Sequence, residues 1–181
     1  MKKLTIQQMG RLTPEQFRDT PKLPLVVVLD NVRSQHNVGA VFRTADAFCL
    51  RGVWLCGCCC QPPNAEIHKT ALGAELTVDW RYCADTIEAV DRLHESGYTV
   101  YAVEQAEGSH LLGSGPLPLP AGGKVAVVLG HEVFGVQQQV VDRCDGCIEI
   151  PQYGTKHSLN VSVAAGIVLY ELSNELRNSL S

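Results

Sequence analysis

A short apolar run rich in β-branched residues constrains the fold of this chain more than any other feature. Residues 23–30 (LPLVVVLD) have the length of a strand, and an uninterrupted apolar run of this kind is typical of a parallel strand buried on both faces. The polar residues Asn31 to His36 follow and predict a loop. Asn37 is then placed to cap a helix through its side-chain oxygen.

The helix predicted after Asn37 is amphipathic and leads into a second strand. We expect Gly52 to end this helix and residues 53–56 (VWLC) to form the strand. Two strands around a helix make a β-α-β unit. The apolar stripe of the helix consists of Val38, Val41, Phe42, Ala45 and Phe48 or Cys49.

The same alternation continues to the end of the chain. We predict a short helix over 64–75, a helix from the cap Asp85 through His94 that closes at Gly97, and an exposed connection over 108–123. Further strands are predicted over 78–83, 99–103, 124–129 and 146–151, and a loop over 152–157. The pattern predicts an α/β fold with a mainly parallel sheet flanked by helices, as one domain over 23–181 after a short segment 1–22.

The last predicted helix is apolar on nearly every face. It runs from Leu159 to about Arg177, is opened by Ser158 and stays apolar all round through Leu172. A helix of this kind must be covered on both sides, by the sheet on one side and by another body on the other. A second copy of the chain is the natural candidate, so we expect a homodimer.

Length and charge limit the classes of function. The 181 residues fit one domain, and the formal net charge of −4 argues against a protein that grips nucleic acid over its whole surface. A local basic site remains open, with Lys69, Lys156, Arg33 and Arg51 as candidates. No apolar stretch reaches the ~20 residues of a membrane span, and no signal peptide is visible, so we expect a cytoplasmic protein without a membrane partner.

Four of the eight cysteines crowd into one segment, at Cys56, Cys58, Cys59 and Cys60. They suggest either a metal or redox site, or thiols that serve as small apolar residues at a strand end. Outside this segment, only Cys144 and Cys147 have the C-x-x-C spacing, and the two groups of cysteines do not form the paired C-x-x-C pattern of a zinc site. We therefore favour the apolar interpretation and expect no metal.

Polar residues gather where the predicted strands end. They are Asn37 and Arg43 after the first strand, Gly130 and Glu132 after a later one, and residues 154–160 after the last. Ligands of open α/β sheets bind beyond the carboxyl ends of strands. There is no G-x-G-x-x-G after the first strand and no P-loop, so dinucleotide and nucleoside-triphosphate sites lack their usual support.

Three segments together resemble the SpoU/TrmH family of RNA 2'-O-ribose methyltransferases, part of the SPOUT superfamily. They are 37–45 (NVGAVFRTA), 128–135 (VLGHEVFG) and 150–165 (IPQYGTKHSLNVSVAA). The resemblance covers about residues 23–175. It implies a C-terminal deep trefoil knot, which departs from the usual rule that connections do not thread loops. It also implies a homodimer that transfers a methyl group from S-adenosylmethionine to a ribose 2'-hydroxyl of structured RNA, with tRNA favoured and rRNA an alternative.

The resemblance also assigns roles to individual residues. Arg43 corresponds to the family's catalytic arginine, and since a guanidinium holds its proton strongly, we expect it to clamp phosphate and stabilise the alkoxide rather than act as a base. Asn37 would orient Arg43 or the ribose. Glu132 would orient the catalytic loops or hold a ribose hydroxyl. The expected catalytic set is Arg43, Asn37, Glu132, Ser158 and Asn160, and the expected cofactor-binding set is Leu129, Gly130, Glu132, Ile150, Gly154, Ser158 and Leu159.

Three other functions are weighed beside this one. A non-catalytic RNA-binding module that keeps the fold is disfavoured, because a dead enzyme has no chemical reason to retain all five catalytic candidates. A SPOUT enzyme that methylates a base is disfavoured by Ser158 to Asn160 together with Asn37 and Arg43. A metal-binding redox protein would rest on the cysteine cluster alone.

His131 and His157 flank the expected pocket, and Tyr153 is a candidate for base stacking.

Overall fold

The structure is a computed structural model that describes residues 1–5, 7–120 and 123–179. Seven strands within these ranges form one sheet in which every neighbouring pair is parallel. They are β1 (Leu23–Asp30), β2 (Leu50–Cys56), β3 (Trp80–Cys83), β4 (Thr99–Val103), β5 (His110–Leu111), β6 (Val125–Leu129) and β7 (Gly146–Glu149). Their spatial order is β3-β2-β1-β6-β4-β7-β5. The predicted α/β fold with a parallel sheet is confirmed.

Helices cover both faces of this sheet. They are α1 (Pro14–Asp19), α2 (Gln35–Ala47), α3 (Ala65–Ala71), α4 (Thr86–Glu95), α5 (Gln138–Val141) and α6 (Val161–Ser179), with 3-10 turns at Gln7–Met9 and Ala74–Leu76. The side chains of Val27 and Leu29 join a core cluster with α2, α3 and α6, whereas Val26 and Val28 join a second cluster with α4 and α5. This alternation explains why β1 is apolar at successive positions.

The start of α2 and the start of β2 differ from the prediction. Ser34, and not Asn37, is the cap of α2, since the Ser34 hydroxyl accepts a hydrogen bond from the Asn37 amide at 3.3 Å. Gly52 does not end the helix but lies inside β2, where a Cβ would sit 2.7 Å from the Asp79 carbonyl oxygen. The chain reverses earlier, at Cys49, whose φ of 54° is in the left-handed region.

Several other boundaries shift by a few residues. The third strand begins at Trp80 instead of residue 78, and the seventh ends at Glu149 instead of 151. The predicted exposed connection over 108–123 contains the short strand β5 and the buried Leu117, so it is not wholly exposed. Residues 121 and 122 of that prediction, and 180 and 181 of the predicted domain, lie outside the described residues.

The last helix begins later than predicted and is covered on one side. It starts at Val161, and Asn160 rather than Ser158 caps it, because the Asn160 Oδ1 accepts hydrogen bonds from the amides of Ser162 at 3.0 Å and Val163 at 3.4 Å. One side packs on the core through Ala165, Val168, Leu169, Leu172 and Leu176. The other side leaves Val163, Ile167 and Tyr170 exposed. In the single chain, the outer apolar side of α6 is therefore left without a packing partner among the described residues.

The crowded cysteines occupy different environments. Cys56 is buried at the end of β2, and Cys59 is buried with its thiol between the Val32 amide at 3.1 Å and the Leu29 carbonyl oxygen at 3.3 Å. Burial raises the pKa of Cys59 to about 12, while Cys58 is exposed. Among the described residues, no group of three His, Cys, Asp or Glu side chains is placed to hold a metal ion.

None of the helices in the described part of the chain is long and apolar enough to cross a membrane. Phe17 of α1 packs into the same core cluster as α2 and α6, which ties the segment before β1 to the sheet. The trefoil knot and the domain boundary at residue 22 stay predictions.

Candidate functional site

The described chain has a cavity of about 440 Å³ beyond the carboxyl ends of β4, β6 and β7. Because all the strands are parallel, the segments that follow them meet at this edge of the sheet. The cavity wall combines apolar side chains from the strand ends with polar groups from the loops. Its lining includes Val103, Glu104, Gln105, Leu129, Gly130, His131, Glu132, Phe134, Ile148, Ile150, His157, Ser158, Leu159 and Val161.

A hydrogen-bond network at the rim joins three segments that are distant in sequence. The Glu132 carboxylate accepts from the Arg33 amide at 3.1 Å, the Ser34 amide at 2.9 Å and the Asn37 Nδ2 at 3.0 Å. The Asn37 Oδ1 in turn accepts from the Asn160 Nδ2 at 3.2 Å. The starts of α2 and α6 and the loop after β6 are therefore fixed relative to one another.

The ionisation of Glu132 follows from this network. Burial raises its pKa, but the hydrogen bonds from Ser34, Asn37 and Arg33 outweigh burial, so the pKa lies below the ordinary value for glutamate. Glu132 is therefore an anion at neutral pH. Its contribution to stability is present above the pKa of unfolded glutamate and is lost as the pH falls through the lowered folded-state pKa.

Two further carboxylates hold the far end of the loop after β6. Asp30 is fully buried and accepts from the Gln137 amide and the Gln137 Nε2, each at 3.1 Å, and from the Thr86 hydroxyl at 2.6 Å. Glu104 accepts from the Val136 amide at 3.0 Å. Two consecutive amides of this loop are thus bound by carboxylates from β1 and from the end of β4.

Backbone atoms approach each other closely at the start of the same loop. A Cβ built on Gly130 would lie 2.0 Å from the carbonyl carbon of Gly135 and 2.1 Å from the amide of Val136. Neither atom belongs to a flexible side chain, so any larger residue would force the loop away from β6. Gly130 thereby brings backbone groups to the wall of the cavity.

Comparison with known proteins identifies the family. Residues 24–170 match the sequence model described as the SpoU rRNA Methylase family. The chain belongs to this family. The resemblance seen in the sequence is therefore confirmed.

Individual relatives of this SpoU chain extend the comparison. A 23S rRNA (guanosine-2'-O-)-methyltransferase RlmB from Vibrio vulnificus (strain CMCP6) is 34% identical over 148 residues, 82% of this chain and 58% of the relative. A TrmH/SpoU tRNA modifying enzyme from A. aeolicus superposes with a TM-score of 0.78 at 25% identity, over 91% of this chain and 83% of that one.

One of the similar solved structures contains a bound ligand. An AdoMet-bound rRNA methyltransferase from Sinorhizobium meliloti has a TM-score of 0.74 at 28% identity, over 94% of this chain and 62% of that one. The SpoU chain spans about three fifths of the length of the curated relatives that it matches.

The structure brings most of the predicted site residues of this SpoU chain together. Leu129, Gly130, Glu132, Ile150, Ser158 and Leu159 line the cavity. Asn37 and Asn160 belong to the rim network. Gly154 does not line the cavity but lies exposed in the loop after β7. Arg43 is also absent from the lining, and lies on the exposed stripe of α2, about 9 Å along the helix axis from Asn37.

The two carboxylates that hold the loop after β6, Asp30 and Glu104, were not predicted from the sequence. Asp30 offered a signal, because an acidic residue directly after a run of buried apolar residues is costly to bury unless it is hydrogen-bonded. Glu104 offered none, since an acid after a strand is most often solvated. The cap of α2 at Ser34 was hidden in a predicted loop.

Proposed function

We propose that this chain transfers a methyl group from S-adenosylmethionine to a ribose 2'-hydroxyl of structured RNA. One observation carries the proposal: the Glu132, Asn37 and Asn160 side chains join the three family segments at the rim of one cavity. The RlmB relative is a 23S rRNA (guanosine-2'-O-)-methyltransferase and the A. aeolicus relative is a tRNA modifying enzyme, which supports an RNA substrate. We favour tRNA over rRNA by analogy with small family members, and we place the reaction in the cytoplasm.

The cavity has the chemistry that the methyl donor requires. Its apolar wall of Leu129, Ile148, Ile150 and Leu159 suits an adenine ring, and its volume of about 440 Å³ is within the usual range for cofactor sites. The close approach at Gly130 supports backbone contact with the donor, and Ser158 adds a hydroxyl at the wall. When bound, S-adenosylmethionine supplies an electrophilic methyl group on a sulfonium.

The chain's own residues then have to position the ribose and ease the loss of its proton. In this proposal Arg43 binds the substrate phosphate and stabilises the developing alkoxide, as a charged, bidentate donor. Asn37 and Asn160 orient the ribose from the rim, and Glu132 keeps both asparagines in place through Asn37. Holding the two reactants at near-attack distance contributes roughly 7–11 kcal/mol to such reactions.

The proposed function is tested by a product analysis. Purified protein is incubated with methyl-labelled S-adenosylmethionine and with small or ribosomal RNA from cells that lack the gene, and the RNA is then hydrolysed in alkali. We expect label in alkali-resistant dinucleotides, because a 2'-O-methyl group blocks cleavage of the adjacent phosphodiester. Label confined to mononucleotides would instead indicate base methylation. Absence of label despite donor binding would favour the non-catalytic RNA-binding module.

We further propose that the protein is a homodimer that covers the outer side of α6. Val163, Ile167 and Tyr170 are exposed there, and together with Phe48 and Leu112 they border an apolar groove. The apolar side of α6 thus continues onto the end of α2, whose Phe48 ring lies 6.0 Å from that of Tyr170. A symmetric interface needs one self-complementary patch, and this patch is contiguous.

Charge placed on this patch is expected to break the dimer. Ile167→Asp should give a folded monomer in sedimentation velocity at micromolar concentration, because the carboxylate would be buried without a partner. Leu76→Asp is the matched control, since Leu76 is exposed in the turn before β3, at the end of the strand order opposite β5, and its substitution should leave the dimer intact. A monomeric wild-type protein, or an unchanged dimer in Ile167→Asp, would contradict the proposed interface.

A further inference from the structure

The turn that follows β6 presents two apolar side chains to solvent. Two backbone hydrogen bonds close this turn. The His131 amide donates to the Gly135 carbonyl oxygen at 3.0 Å, and the Gly135 amide donates to the His131 carbonyl oxygen at 2.9 Å. The His131 Nδ1 accepts from the Val133 amide at 3.0 Å, which organises the tip of the turn. At that tip Val133 is 78% exposed and Phe134 is 84% exposed.

The turn that carries these exposed side chains is held in place by hydrogen bonds on one side and by backbone packing on the other. The residues that follow the turn are bound by Glu104 at the Val136 amide and by Asp30 at the Gln137 amide. On the other side, the backbone of Gly130 packs directly against Gly135. The fold therefore uses two carboxylates, one of them fully buried, to fix a turn whose outermost side chain is an uncovered phenylalanine.

The location of Phe134 indicates which kind of ligand could contact its exposed ring. Phe134 and Val133 both line the cavity that we assign to the methyl donor. Phe134 is thus both a wall residue of the cavity and open to solvent, where a nucleotide can reach it. The His131 ring lies 4.9 Å from the Phe134 ring, centroid to centroid, and the two ring planes are tilted by 35°. Stacking on aromatic side chains is the usual way in which proteins hold unpaired RNA bases.

We propose that Phe134 is the platform on which an unpaired nucleobase of the RNA substrate stacks, at or beside the ribose that is methylated. The proposal rests on the proposed function and names the substrate feature that the site selects: a base that is splayed out of its helix. The RNA is then held at the rim by stacking on Phe134, while its phosphate is left for Arg43. The Phe134 ring contributes to RNA affinity and not to donor affinity.

Truncation of the ring tests the proposal. Phe134→Ala should weaken RNA binding by between about 5-fold and 150-fold, the range that corresponds to the loss of one base stack, with the dissociation constant of S-adenosylmethionine within twofold of wild type. Leu76→Ala is the matched control, because it removes an exposed apolar side chain in the turn before β3, at the end of the strand order opposite β5. It should leave both affinities unchanged. Circular dichroism checks that each variant is folded, and Phe134→Leu serves as a second, less drastic truncation.

A conservative replacement separates stacking from mere bulk. Phe134→Trp should restore RNA affinity, and the introduced indole should be quenched when RNA is added, relative to the same titration of the wild type. Unchanged RNA affinity in Phe134→Ala would overturn the proposal. So would a loss of donor affinity, which would assign Phe134 to the donor, or a loss of the dimer, which would assign it to the subunit interface.

Base stacking on Phe134 and methyl transfer by the chain can be measured independently of each other. Binding and quenching are measured without methyl transfer, so RNA-dependent quenching in a protein that transfers no label would retain the platform and reject the enzyme. Transfer to ribose by the wild type, together with normal RNA affinity in Phe134→Ala, would retain the enzyme and reject the platform.

Discussion

Arg43→Ala is expected to lower the rate of methyl transfer at least about 100-fold, the usual cost of removing one charge-stabilising donor from a transition state. The affinity for S-adenosylmethionine should stay within a few-fold of wild type, because Arg43 does not line the cavity. Stability should also be unchanged, since Arg43 is exposed and makes no hydrogen bond or ion pair with the described residues. Single-turnover kinetics at saturating donor measure the effect on the chemical step.

The control for Arg43 is another exposed arginine. Arg92 of α4 pairs with Glu88 on the surface and does not line the cavity, so Arg92→Ala removes the same charge away from the site. This variant should keep the rate of methyl transfer within about twofold of wild type, because a surface ion pair contributes little free energy. Normal turnover by Arg43→Ala would remove Arg43 from the proposed mechanism.

Mixed dimers test whether Arg43 acts at the cavity of its own chain or at the cavity of the partner subunit. One chain carries Arg43→Ala and the other carries Gly130→Val, whose side chain has no room against Gly135. Because Arg43 is absent from the lining of its own cavity, we expect it to act on the cavity of the partner subunit, and the mixed dimer should regain transfer. A mixed dimer as inactive as its parents would place Arg43 at the cavity of its own chain.

The strands were the part of the fold that the sequence predicted best. The first strand was predicted as residues 23–30 and the fourth as 99–103, and both ranges match the structure. Buried parallel strands need apolar, β-branched residues at successive positions, and few other elements tolerate them, so their signal is local. The helix starts were predicted less well, because caps depend on which donor and acceptor groups the rest of the chain leaves free.

Asn37 illustrates why the site could be predicted only in part. From sequence it resembles a helix cap, and the family resemblance gives it a role near Arg43. In the structure its side chain bridges Glu132, 95 residues later, to Asn160, 123 residues later, while Ser34 takes over the capping. Such convergence depends on strand order, which no local pattern specifies. The same holds for Asp30 and Glu104, whose partners at residues 136 and 137 are brought near only by the packing of β1 and β4 against β6.

Asp30→Asn is expected to destabilise the protein strongly. The fully buried Asp30 carboxylate faces donors only: the Thr86 hydroxyl, the Gln137 amide and Nε2, and the Asn31 Nδ2 at 2.9 Å. Asp30→Asn keeps the size of the side chain but replaces one acceptor oxygen by an NH₂ group that meets these donors. The free energy of unfolding should fall by about 3 kcal/mol, the scale for losing charged hydrogen bonds and leaving buried donors unpaired.

The effect on the site separates positioning from general stability. Since Asp30 binds the loop that carries Gly130, Glu132 and Phe134, Asp30→Asn should also weaken both donor and RNA binding at temperatures where the variant is fully folded. Asp79→Asn is the control, because Asp79 is exposed and should cost no more than about 0.5 kcal/mol. Urea titrations and donor binding are measured on the same samples. A variant that loses stability but binds donor and RNA normally would show that Asp30 supports the fold without positioning the loop.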